Sequence, residues 1–149
     1  MQIWVDADAC PNAIKEILYR AAKRLSINTT FVANLPLRVP KSPYINTIQV
    51  PGGFDMADQK IIELVQKDDL VVSADIPMVA EVIKKGAVAL NPRGAFYNKD
   101  NIGEYLTMRN VSDELRNSGV ETGGPKPLSS SDRNFFANQL DRLLTQRIK

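Results

Sequence analysis

Short apolar runs that stop at an aspartate, each followed by a stretch of helical periodicity, constrain this chain more than any other feature. Ile3-Trp4-Val5 ends at Asp6, and Leu70-Val71-Val72 ends through Ser73 and Ala74 at Asp75. A run that is apolar at successive positions offers both faces of a strand to the interior, as in a parallel sheet covered by helices on both sides. Residues 69–74 read as a strand of this kind, and 2–6, 29–33, 47–50 and 87–90 also read as strands. Helical spacing recurs between them: Ile14, Ile17, Leu18, Ala21 and Leu25 predict a helix over 12–25. A second helix is expected from Asp55 to about residue 66, and a third from Pro77, ended by Gly86. The alternation predicts an α/β fold: one three-layer domain over residues 1–149, with a central, mostly parallel sheet of about five strands.

The other segments fit around that frame. Pro36, Pro40 and Pro43 exclude a long regular element between Asn34 and Tyr44, and Arg38 and Lys41 make that stretch a basic loop. A helix is expected over residues 101–117 with Ile102, Leu106, Val111 and Leu115 inward, then a Gly/Pro-rich loop over 118–128. The last helix, about 130–147, opens on Ser129-x-x-Asp132, the spacing of a capping box, and carries Phe135, Phe136, Leu140, Leu143, Leu144 and Ile148 as its stripe.

What the chain lacks narrows its chemistry. It contains no histidine and one cysteine, Cys10. Ser-His-Asp and Cys-His catalysis are excluded, and so is the usual zinc site. A single cysteine precludes an internal disulfide and fits a reducing, cytoplasmic setting. The N-terminal sequence has no basic start or long apolar core of a signal peptide, and no apolar run approaches the roughly 20 residues needed to span a bilayer. The net charge of +2 is too small to imply a nucleic-acid partner by itself.

Carboxylates, lysines, hydroxyls or a bound hard cation are left to carry any catalysis. Asp6 and Asp8, Asp55 and Asp58, and Asp75 all fall where a strand gives way to a loop or helix. In a parallel sheet the carboxyl ends of neighbouring strands form one rim, where ligands bind. A single helix cap explains Asp8, Asp55 or Asp75 taken alone. The pair Asp6 and Asp8 exceeds what one cap requires. Carboxylates gathered on one rim repel each other unless a positive charge intervenes, and oxygen ligands suit Mg²⁺ or Mn²⁺. Such an ion, held by two or three carboxylates, keeps positions open for water and a phosphate oxygen.

The stretches Trp4-Val5-Asp6-Ala7-Asp8-Ala9-Cys10-Pro11, Val50-Pro51-Gly52-Gly53-Phe54-Asp55-x-Ala57-Asp58, Ser73-Ala74-Asp75-Ile76-Pro77, Ala89-Leu90-Asn91-Pro92-Arg93-Gly94 and Thr122-Gly123-Gly124-Pro125 resemble the signature of the uncharacterised bacterial YaiI/YqxD protein family, nearly end to end. That pattern is in turn similar to PIN and NYN ribonuclease domains, with one acid after the first strand, another early in a helix and a third after a strand ending in Thr/Ser-x-Asp. The resemblance implies a PIN-like fold and a metal-dependent nuclease acting on RNA or another nucleic acid. By position, Asp6, Asp58 and Asp75 would hold the metal, with Asp8 and Asp55 assisting.

Ser73, Arg93 and Arg38 are the candidates for substrate phosphate, the arginines through contacts that position a backbone without reading bases. Two other readings compete. One is a non-catalytic module that binds nucleic acid or nucleotide through the same rim. The other is a haloacid-dehalogenase-like phosphatase, suggested by Asp6-x-Asp8, with Asp6 as nucleophile and Asp8 as acid/base; it requires a lysine that no strand end obviously supplies. Cys10 reads as a small buried thiol, and Trp4 as core rather than a base-stacking platform.

Overall fold

The computed structural model describes residues 1–53, 55–108 and 127–148. Its sheet has six strands: β1 (Ile3–Asp6), β2 (Thr29–Ala33), β3 (Ile45–Gln49), β4 (Leu70–Val72), β5 (Val88–Leu90) and β6 (Phe96–Tyr97). They lie in the order β3-β2-β1-β4-β5-β6, parallel throughout except for β6, which runs antiparallel to β5. The expected parallel strands are all present, each within two residues of its expected ends. β6 is the addition: two residues are too short to carry a periodicity, and it forms only because the turn after Leu90 folds back.

The helices are α1 (Asn12–Leu25), α2 (Met56–Leu64), α3 (Ile76–Lys84), α4 (residues 102–108) and α5 (Ser130–Ile148). Strand alternation sorts the side chains into two cores. Ile3, Val5, Phe31, Leu70, Val72 and Leu90 face α1 and α5, where Ile14, Leu18, Phe136, Leu140 and Leu144 meet them. Trp4, Val32, Val71 and Ala89 face the other way, onto Ala57 and Ile61 of α2 and Met78, Val79 and Val82 of α3. Full burial of a large side chain such as Phe31 or Phe136 contributes roughly 1.5–3 kcal/mol. The proline-bearing segment 34–44 crosses from β2 to β3 without regular structure, as expected. The second half of the expected 101–117 helix and nearly all of the 118–128 loop lie outside the described residues.

Chain order and sheet order reverse between β1 and β4. From β1 the chain moves to β2 and β3 on one side; from β4 it moves to β5 and β6 on the other. The strand ends diverge at such a switch point and leave a crevice. Asp6 closes β1 on one side of it, and Ser73 to Asp75 follow β4 on the other.

Two fixtures hold the frame. At the opposite end of the sheet, buried Asp69 accepts hydrogen bonds from the backbone N–H of Gln2 and of Gln66 and from Trp4 Nε1, all at 3.0 Å. Trp4 is therefore core, with its one polar atom satisfied. On the β5 side, the capping box forms: Asp132 N–H donates to Ser129 Oγ at 3.1 Å, and Ser129 N–H to Asp132 Oδ2 at 3.0 Å. The turn at Asn91–Gly94 docks onto that helix start. Gly94 has φ +102°, and a Cβ there would lie 2.4 Å from Phe135 Cδ2, so the close approach of α5 requires glycine.

Replacing Asp69 by alanine strands three donors in or near the interior. Urea unfolding followed by Trp4 fluorescence is expected to show a loss of about 3 kcal/mol, with the slope on denaturant unchanged. A loss under about 0.5 kcal/mol, the range of ordinary surface substitutions, would show that these bonds do not fasten β4 to β1.

Candidate functional site

Four aspartates reach the crevice by different local routes. Asp6 is the last residue of β1, buried and paired in register with Val32 of β2. Ser73 Oγ donates to Asp6 Oδ2 at 3.2 Å and accepts from Asp75 N–H at 3.0 Å, so one hydroxyl links the two strand ends. Asp75 is the N-cap of α3 and accepts from Met78 N–H at 3.3 Å. The cap reading and the site reading both hold for this residue: one carboxylate oxygen serves the helix. Asp55 sits at the N-cap position of α2, yet its side chain makes no capping bond and its backbone is left-handed, with φ +61°. Asp58, one turn in, lies on the same helical face.

Oxygens from Asp55, Asp58 and Asp75 all lie within 4.8 Å of one another. An ion with ligands at about 2.1 Å holds them no more than roughly 4.2 Å apart, so a small closure brings these three onto one Mg²⁺-sized cation. Three hard, partly exposed oxygens form a suitable donor set. Asp6 stands outside this trio, beside it in the same cleft. Of the four aspartates expected around a metal, Asp55, Asp58 and Asp75 lie closest together, and Asp6 lies beside them.

The crowding has an electrostatic signature. Burial chiefly, then the hydrogen-bonded and like-charged Asp75, and then Asp6 and Asp55, push the Asp58 carboxyl up to about 8. Asp6 is raised as well, by burial above all, with Asp75 and Asp8 adding to the effect and the Ser73 hydroxyl opposing it. In the cation-free site, burial and these neighbours favour the protonated form of Asp58.

A cleft of about 800 Å³ opens over these groups between α2 and α3. Among the described residues, the charged ones lining it are Asp6, Asp55, Asp58, Asp75 and Glu81, with no lysine or arginine. The remaining predicted residues lie elsewhere. Asp8 is exposed in the short 3₁₀ turn Ala7–Ala9, where Oδ2 accepts from Asn34 N–H at 2.7 Å, tying that turn to the end of β2. Arg38 is exposed on the β2–β3 crossover and does not line the cleft. Arg93 is turned to α5: its Nη1 donates to Asp132 Oδ2 at 2.7 Å, and its backbone N–H to Asn91 Oδ1 at 2.7 Å. The arginine expected to meet phosphate here clasps the capping box. Cys10 is buried, and burial pushes its thiol up to about 12, which leaves it inert at neutral pH.

Lining residues not foreseen as part of a site include Gln59, Ile62, Met78 and Glu81. Helical spacing carries the signal. Ile62 follows Asp55 and Asp58 by seven and four residues, and Met78 and Glu81 follow Asp75 at steps of three.

With an α/β domain and a carboxylate-lined crevice at its switch point in view, the comparisons with known proteins place the chain. The profile of the family described as "Uncharacterized BCR, YaiI/YqxD family" matches residues 4–146. The chain is 59% identical over 147 residues to a UPF0178 protein of Janthinobacterium sp. (strain Marseille), covering 99% of this chain and 97% of that protein. It is 60% identical over 146 residues to a UPF0178 protein of Herminiimonas arsenicoxydans, covering 98% of each. It is 58% identical over 149 residues to one of Yersinia enterocolitica, covering 100% and 98%. The chain belongs to the YaiI/YqxD family. No solved structure gives a significant match. Among the described residues no helix is long and apolar enough to cross a membrane.

The raised Asp58 predicts a pH dependence of definite sign. The folded chain holds this proton up to about 8, whereas an unfolded aspartate releases it near 4. The stabilisation is complete below the unfolded value and is lost as pH rises through the folded one. In chelator, the melting temperature should fall between pH 5 and pH 8.5. Asp58→Asn should flatten that slope and melt above wild type at the alkaline end. An unchanged slope in the variant would show that Asp58 is not the strained carboxyl.

Proposed function

We propose that this chain is a divalent-cation-dependent phosphodiesterase acting on RNA, with its reaction centre at Asp55, Asp58 and Asp75. One observation carries the reading: three carboxylates from two helix starts crowd within 4.8 Å of each other, in a cleft whose charged lining among the described residues is entirely acidic. A site so built favours a doubly charged ion over any neutral or anionic occupant. The similarity of the motifs around Asp6, Asp58 and Asp75 to PIN and NYN ribonuclease domains supplies the reaction class.

Mg²⁺ or Mn²⁺ bound there supplies an acidified water and neutralises charge on the phosphodiester. The protein's own part is positional. Asp75 is fixed twice, by its cap to Met78 and by the Ser73 hydroxyl on its N–H. Asp6, gripped by the same hydroxyl, adds negative charge behind the trio. Asp58 would have to be deprotonated to hold the cation, so cation affinity should rise with pH.

Among the described residues the lining holds no lysine or arginine, which favours the cation-dependent reading over both competing ones. A module binding nucleic acid through this rim alone needs cationic contacts to phosphate. A haloacid-dehalogenase-like phosphatase needs a lysine beside its nucleophile.

The test is Mn²⁺-dependent cleavage of single-stranded RNA. Asp75→Asn keeps a capping side chain and should fold, but lose more than the roughly 10–100-fold that outer partners of metal ligands cost. Ser73→Ala, which frees Asp6 and the Asp75 N–H, should fall within about 10–100-fold. RNA binding without turnover in wild type would favour the binding module. Hydrolysis of a small phosphomonoester that fails in Asp6→Asn would favour the phosphatase.

A further inference from the structure

Besides the carboxylate trio, the cleft of roughly 800 Å³ is lined by two helix faces that form a groove. On α2 it continues from Asp58 through Gln59 to Ile62, and on α3 from Asp75 through Met78 to Glu81. Its lining changes character along the way, from acids at the helix starts to the apolar surfaces of Ile62, Ile76 and Pro77. Its outer polar groups are the amide of Gln59 and the carboxylate of Glu81, both exposed. Glu81 also pairs with Lys84 at 3.1 Å.

Resting on the cation-dependent reading above, we infer that this groove is a nucleobase subsite and that it selects guanine. The groove disfavours phosphate, because every charged residue among the described lining is acidic. A flat, uncharged ring fits the apolar walls, as unstacked RNA bases do when a protein reads their Watson–Crick edges. From Asp75 to Glu81 is six residues of helix, a rise of about 9 Å, which is the scale of one nucleotide from phosphate to base edge. A carboxylate only accepts hydrogen bonds. Guanine alone among the four bases presents two adjacent donors on that edge, N1–H and N2–H, which the two oxygens of Glu81 can accept once the exposed Lys84 releases Oε1. The Gln59 amide, both donor and acceptor, can meet guanine O6 or N7. Glu81 and Gln59 are thereby specificity-determining residues, distinct from the trio that holds the cation.

The experiment is an NMR titration of the full chain in Mg²⁺ with guanosine, adenosine, cytidine and uridine 5′-monophosphates, following the Ile62 methyls and the Gln59 amide. Guanosine monophosphate should perturb both and bind about tenfold or more tightly than the others, the discrimination typical of a paired base contact. Glu81→Gln should remove most of that preference while leaving Mg²⁺-induced shifts at Asp55 and Asp58 in place. Equal binding of all four nucleotides, or no shift at Ile62 and Gln59, would overturn the subsite. So would shifts produced by a lysine-rich peptide and by none of the nucleotides. Guanine-selective binding in a wild-type chain that cleaves no RNA would uphold the subsite and remove the nuclease reading alone.

Discussion

The hydroxyl of Ser73 is the contact around which the cleft is arranged. It donates to Asp6 at the end of β1 and accepts from the backbone of Asp75 after β4, spanning the point where the sheet reverses direction. β1 and β4 pair in register from Ile3 and Leu70 to Val5 and Val72, so the two strands reach the rim together. Beyond that register the strands separate, and the hydroxyl bridges the gap. The position of Asp75 follows, and with it the start of α3, the alignment of α3 with α2, and the groove between them.

Assembling acids in this way has a thermodynamic consequence. Burial and three neighbouring carboxylates raise Asp58, and the same crowding raises Asp6. Without a cation, burial and this repulsion favour the protonated form of Asp58. A divalent ion replaces the proton with a larger and more localised positive charge. Stability and cation affinity are thus linked through the same carboxyls. The left-handed backbone at Asp55 belongs to the same pattern: aspartate tolerates that conformation better than most residues, and a side chain released from capping is available to a ligand.

Much of this architecture was readable from residues alone, because parallel strands and amphipathic helices write strong periodicities. The runs Ile3–Val5 and Leu70–Val72 and the stripe Ile14–Leu18–Ala21 fold as their spacing predicts. β6 escaped notice because Phe96 and Tyr97 pair only through the turn before them. The aspartates that meet were legible as a set but not in their ranking. Whether Asp55 or Asp6 joins the closest group depends on the angle at which α2 arrives, which local spacing does not encode. Arg93 shows the converse error. A basic residue on the sheet rim resembles a phosphate ligand until α5, coming from 39 residues later in the chain, supplies Asp132. The helix faces that line the groove were visible in the spacing, but only once the two helices were known to lie side by side.

The central claim is that Asp55, Asp58 and Asp75 together capture a divalent cation. Anomalous diffraction from a manganese-soaked crystal tests it most directly. A peak should lie between these three carboxylates, with oxygens at roughly 2.0–2.2 Å, and should vanish in Asp75→Asn. Crystals saturated with manganese that show no density there, or a peak only at Asp8 or elsewhere on the surface, would contradict it.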